Sequence, residues 1–123
     1  MGLNTLVLGA TTNPSRYAFI AAEMLTAYGH GVFPVGIKKG VVGGKEIARH
    51  FPGKEANLDT ITLYIGPAHQ PEWYDAILHS GARRIIFNPG TENEELQALA
   101  EAAGIETIEA CTLVMLRTGQ YSI

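Results

Sequence analysis

Only one cysteine, Cys111, stands in these 123 residues, which excludes an internal disulfide and any cysteine-cluster metal site. No apolar run approaches the ~20 residues that span a bilayer, so no membrane partner is expected. Charged residues are scarce at 17%, and the net charge of −3 argues against general nucleic-acid binding. The opening "MGLNTLVLGA" lacks the basic start of a secretory signal and reads directly as a strand, with a cytoplasmic address as the default. Two nucleotide fingerprints are also missing. After Gly9 there is no G-x-G-x-x-G, and no Walker A turn occurs anywhere.

The chain does have 46% apolar residues in an alternating pattern of strands and helices, enough for one domain with a sizeable core. Leu3–Leu8, Gly31–Val35, Thr60–Ile65, Arg84–Phe87 and Ile105–Ile108 read as five strands with little polar alternation. Between them, helices are expected over Ser15–Tyr28, Pro71–Leu78 (burying Trp73 and Ile77, with Tyr74 beside them) and Glu92–Ala103. A last short helix starts near Cys111. Apolar strands separated by amphipathic helices mean a parallel sheet covered on both faces. The expected architecture is therefore a Rossmann-like, three-layer, doubly wound α/β fold with strands in the order 3-2-1-4-5. The stretch Ile37–Asn57, rich in Gly and Lys, is the least regular; loops or a short helix near Glu46–His50 would replace a crossover helix there.

In such a sheet, ligands lie outside the C-terminal ends of the strands, beside the first strand. The segments that fall there are "GATTNPSR", "PVGIKKG", "IGPAH" and "FNPGTE". Their helix starts differ. Thr91 and Glu94 form a T-x-x-E capping box reinforced by Glu92 and Glu95, and the helix after Pro71 begins with Glu72 and Asp75. The first helix has no acid between Gly9 and Glu23. It offers Thr11, Thr12, Asn13, Ser15 and Arg16 instead, the hydroxyls, amides and guanidinium that suit a phosphate or pyrophosphate. Charge is skewed the same way: residues 1–56 hold six Lys/Arg against three acids, residues 57–123 three against nine. A nicotinamide site would place an acid after the second strand for the ribose diol; here Lys38 and Lys39 stand in its place. Cations there favour a ribose that carries a phosphate, and NADP and coenzyme A both qualify.

Together, "LGATTNPSRYAF", "GVFPVGIKKGVVGGKEI", "DTITLYIGP", "RIIFNPGTENEEL" and "AGIETIEACTLVML" resemble the small stand-alone CoA-binding domain family, related to the N-terminal domain of the succinyl-CoA synthetase α subunit. The resemblance runs over nearly the whole chain in the right order. It implies a Rossmann-like fold with CoA over the strand ends and a pyrophosphate on the turn from Gly9 through Ala10, Thr11, Thr12 and Asn13 to Arg16. By the same resemblance Val35 and Lys38 flank the adenosine end, the Ile65–Gly66–Pro67 loop borders the adenine or the pantetheine arm, and Asn88, Pro89 and Gly90 line the floor. Where many members read "PVNP" this chain reads "PVGIKK", which leaves Lys38 and Lys39 both as partners for the 3′-phosphate. The synthetase's phosphohistidine lies outside this domain, so that chemistry is not transferred.

No catalytic constellation is legible. His30, His50, His69 and His79 show no metal-ligand spacing, and no Ser/His/Asp arrangement appears. Cys111 opens the last helix, where a small buried residue and a thiol with a lowered pKa both fit. Two function classes remain. One is a module that carries or senses CoA or an acyl-CoA without chemistry of its own. The other is an NADP-binding or CoA-dependent enzyme subunit, its site completed by a partner protein or a second protomer.

Overall fold

The computed structural model describes residues 2–122. Five strands form one parallel sheet: β1 (Asn4–Leu8), β2 (Gly31–Val35), β5 (Thr60–Leu63), β6 (Arg84–Phe87) and β7 (Glu106–Glu109). A two-strand hairpin, β3 (Val41–Val42) and β4 (Lys45–Glu46), stands apart. The helices are α1 (Tyr17–Ala27), α2 (Tyr74–Leu78), α3 (Glu94–Ala102) and α4 (Thr112–Arg117). Three single 3₁₀ turns occur at Lys54–Ala56, Pro67–His69 and Pro71–Trp73.

Both faces of the sheet are buried over β1, β5 and β6, while the edge strand β7 is largely exposed. Leu6, Leu8, Ile61, Leu63, Ile85 and Phe87 pack on one side against Trp73, Ile77, Leu96 and Ala100, from the segment around α2 and from α3. Val7, Val32 and Ile86 pack on the other against Ala18, Ala22 and Leu25 of α1 and Met115 and Leu116 of α4. The threonines facing α1 and α4 are fully buried and paired: Thr62 with Thr112 (2.8 Å), and Thr60 accepting from Arg84 Nε (2.8 Å). A three-layer, doubly wound α/β fold is thus present as expected.

The order of its strands is β2-β1-β5-β6-β7. Among the five expected strands this reads 2-1-3-4-5, not 3-2-1-4-5. The third strand pairs with the free side of β1, Thr5 opposite Thr60 and Leu8 opposite Leu63. Pro34 is the physical reason. Its carbonyl faces outward to accept from Ala48 N (3.0 Å), so its nitrogen, which carries no proton, faces outward too. A strand outside β2 would lose a ladder hydrogen bond there, which confines β2 to an edge.

Two local points are settled as well. Of the loops or short helix expected near Glu46–His50, the helix is absent, because Gly43 and Gly44 both take positive φ (60° and 76°) and fold a hairpin just before it. At α3, Thr91 is not the cap: its buried hydroxyl donates to Asn88 O (2.8 Å). The N-cap is Asn93, whose side chain accepts from Leu96 N (3.2 Å).

Candidate functional site

The strand order places a winding reversal between β1 and β5, which opens a crevice above their C-terminal ends. The registers Leu8↔Val35, Leu8↔Leu63 and Leu63↔Phe87 bring those ends level, so the loops after β2, β1, β5 and β6 meet there. They enclose about 800 Å³.

The turn after β1 forms the middle of the crevice. Gly9, at φ 99°, turns the chain, and Gly9 N and Ala10 N both donate to Val35 O (2.9 and 3.2 Å). Asn13 organises the remainder of the turn: its Oδ1 accepts from Ser15 N (3.0 Å) and Ser15 Oγ (2.8 Å), and its carbonyl from Arg16 N (3.0 Å). Asn13 N in turn donates to Thr11 Oγ1 (3.1 Å). The turn's side chains thus bond within the turn, and α1 starts at Arg16 with no side-chain cap and no acid in its first turn. Arg16, Tyr17 and Ala18, the residues that lead into α1, line the crevice.

The loop after β2 lies against this turn. A Cβ on Gly36 would come within 3.3 Å of Ala10 N, and one on Gly40 within 2.4 Å of Thr12 Cγ2. That close approach carries Ile37 and Lys38 to the rim. Ile37 and Tyr17 line the crevice while 65% and 70% exposed, an uncovered apolar pair beside two cations.

The far wall is held by Gln70, which is fully buried. Its Nε2 donates to Ile65 O (3.0 Å) and Thr91 O (2.8 Å), and its Oε1 accepts from Asn93 Nδ2 (2.8 Å). One amide therefore ties the loops after β5 and β6 into a single wall bearing Gly66, His69, Glu72, Trp73, Pro89, Gly90 and Thr91. Gly66 is extended (φ −67°), and a Cβ built on it meets nothing within 4 Å. Neither backbone conformation nor packing calls for glycine there. Tyr64 lines the crevice too, and burial pushes its hydroxyl up to about 12, so it is an uncharged wall.

Of the residues singled out in the sequence, Gly9, Ala10, Thr11, Thr12, Asn13, Arg16, Lys38, Ile65, Gly66, Pro89 and Gly90 come together around this crevice. Val35, Lys39 and Asn88 do not line it. Val35 is buried in the core beneath, and Lys39 is exposed outside the lining. Asn88 is a buried stitch: Nδ2 donates to Thr62 Oγ1 (2.6 Å) and Leu63 O (2.8 Å), and Oδ1 accepts from Thr112 N (2.8 Å). Cys111 precedes α4 outside the lining, and its strand, β7, is three steps from β1, roughly 14 Å away. Sequence reasoning gave no site role to Gln70, Tyr17 or Tyr64, and it reached Ile37, His69 and Thr91 only as members of the segments placed at the strand ends.

A family model for the CoA binding domain matches residues 4–117. The chain belongs to this family. Among solved structures, the family member is 48% identical to an uncharacterised protein, covering 98% of this chain and 99% of that one with a TM-score of 0.92. It is 26% identical to a conserved hypothetical protein from Pyrococcus furiosus, with coverage of 91% and 97% and a TM-score of 0.77. It also shares its fold with a hypothetical protein from Pyrococcus horikoshii OT3, at 24% identity, coverage of 94% and 82%, and a TM-score of 0.84. No curated protein matches the chain. Among the described residues, no helix is long and apolar enough to cross a membrane.

Proposed function

We propose that this CoA-binding-domain protein holds coenzyme A or an acyl-CoA in the crevice, as a carrier, sensor or accessory module. The pyrophosphate sits on the turn from Gly9 to Arg16 and the 3′-phosphate near Lys38. The pantetheine arm runs past Ile65 and Gly66 toward Gly90. One observation carries the reading: α1 opens into the crevice uncapped and acid-free, with Arg16 at its start and Lys38 alongside. Helix amides and a guanidinium bind phosphate through charge-assisted hydrogen bonds. Strand order supports the direction. The loops after β2, β1, β5 and β6 succeed one another along the sheet edge, as adenosine phosphate, pyrophosphate and arm succeed one another in CoA. Lys38, which lines the crevice, is favoured over Lys39 as the phosphate partner.

Thermal-shift titration tests this. A ligand bound only by the folded chain stabilises it by about 2.7 kcal/mol at a hundredfold excess over Kd. CoA raises the melting temperature more than NADH or NADPH does, and dephospho-CoA raises it less than CoA. Equal shifts with CoA and dephospho-CoA would remove Lys38 from the account; no shift with CoA would remove the ligand.

A further inference from the structure

The crevice has a charge polarity that the phosphates alone do not require. Arg16 and Lys38 line the part that adjoins β1 and β2. Glu72 lines the part beyond β5. Gly90, on the rim after β6, has its amide bound by Glu92 Oε1 at 2.9 Å, which pins a second carboxylate there. The strands run β2-β1-β5-β6, so cations stand at one end and carboxylates at the other. Arg49, whose guanidinium lies over the Trp73 ring (5.6 Å), stands outside the crevice lining. His69 is the other titratable group on that wall. The wall itself is fixed, since Gln70 locks the loops after β5 and β6 together.

From this we infer that the crevice selects the acyl group of its ligand: it takes free CoA and thioesters of neutral acyl chains, and discriminates against acyl chains ending in a carboxylate. The inference rests on the reading that CoA lies with its phosphates at the cationic end. An arm lying that way delivers its thioester to the wall bearing Glu72, with Glu92 held on Gly90 N beside it. A methyl terminus there meets Trp73, which lines that wall. A carboxylate terminus there meets the like charge of Glu72, with Glu92 at the rim, and no lining cation; two like charges in contact, about 4 Å apart, repel by roughly severalfold in affinity even in water.

Butyryl-CoA and succinyl-CoA make the test, because they differ in a terminal methyl against a terminal carboxylate on chains of equal carbon number. Isothermal titration at low ionic strength and about pH 8, where histidine side chains in general are neutral, compares them with free CoA. In the wild type, butyryl-CoA binds at least about threefold more tightly than succinyl-CoA. In the double variant Glu72→Gln/Glu92→Gln the gap closes, and Glu72→Lys reverses it. All three substitutions are at exposed positions, and an unmoved urea midpoint reports that each variant is folded. Equal or tighter binding of succinyl-CoA to the wild type overturns the inference. So does a gap that persists unchanged in both variants. If free CoA itself fails to bind the wild type, the coenzyme reading falls instead, and the two failures are told apart by that one ligand.

Discussion

Replacing Arg16 with alanine separates binding from folding. The Arg16 side chain is exposed, caps no backbone group and forms no ion pair among the described residues. Its loss from an exposed N-cap position should therefore change stability by no more than about 0.5 kcal/mol. Its contribution to a bound pyrophosphate is much larger. A hydrogen bond to a charged group contributes about 1.5–3 kcal/mol, and each 1.36 kcal/mol is tenfold in affinity. Arg16→Ala should thus weaken CoA binding between about tenfold and a hundredfold, with the urea midpoint unmoved. Arg16→Lys keeps the charge but loses the planar fork and should fall between. Titration calorimetry of the three proteins at one salt concentration measures this. Unchanged affinity in Arg16→Ala would refute the reasoning, as the turn would then hold its ligand by backbone alone or hold nothing. A drop in the urea midpoint as large as the binding loss would assign Arg16 to the fold instead.

The glycines offer a paired contrast. Gly66→Ala leaves melting unchanged but weakens CoA binding about tenfold, since the added methyl meets only the crevice. Gly9→Ala costs about 1–3 kcal/mol of stability, because φ is 99° and its Cβ would lie 2.8 Å from Ile65 Cγ2. Gln70→Met strands the carbonyls of Ile65 and Thr91 and the Asn93 amide; urea unfolding should show a loss of at least about 2 kcal/mol, and a smaller loss would mean water replaces the amide. His30 introduces a pH dependence. Burial, with the Arg84 charge beside it, holds its pKa below the ordinary 6.5, and its Nδ1 accepts from Leu3 N (2.9 Å). The unfolded chain then binds the proton more readily, so this contribution is complete above pH 6.5 and is lost as pH falls from there through the folded pKa. Urea midpoints between about pH 7.5 and about pH 5.5 should fall more for the wild type than for His30→Asn; parallel falls would exclude His30.

Much of this was open to sequence reasoning because the strong signals are periodic and local. Gly31–Val35 and Arg84–Phe87 are strands to the residue, and the uncapped, acid-free start of α1 is visible as an absence between Gly9 and Glu23. The strand order was legible too, but only through Pro34, a residue that speaks for an edge and against an interior strand. "VVGGKE" carries a glycine pair of the kind that closes a hairpin, and it outweighs the helical reading of the residues after it. At α3 the T-x-x-E match pointed to Thr91 as the cap, but Thr91 is drawn into the core to bond Asn88 O and Asn93 caps the helix instead. Gln70 was not legible. A polar residue between two short turns reads as exposed, and only the three-dimensional meeting of the β5 and β6 loops supplies the carbonyls that bury it. The same meeting takes Asn88 out of the crevice and makes it a stitch between β5, β6 and α4.

Amide chemical-shift mapping with CoA tests the central claim most directly, because it reports where the ligand sits as well as whether it binds. The account predicts the largest shifts at the amides of residues 9–19, 36–38 and 65–66, the turn, the adjoining loop and the wall of the crevice. Those of Gly29, His30 and Gly119, which line a second cavity of about 380 Å³ formed by other residues, should stay in place. Shifts centred on that second cavity, or a spectrum that does not respond to CoA, would contradict it.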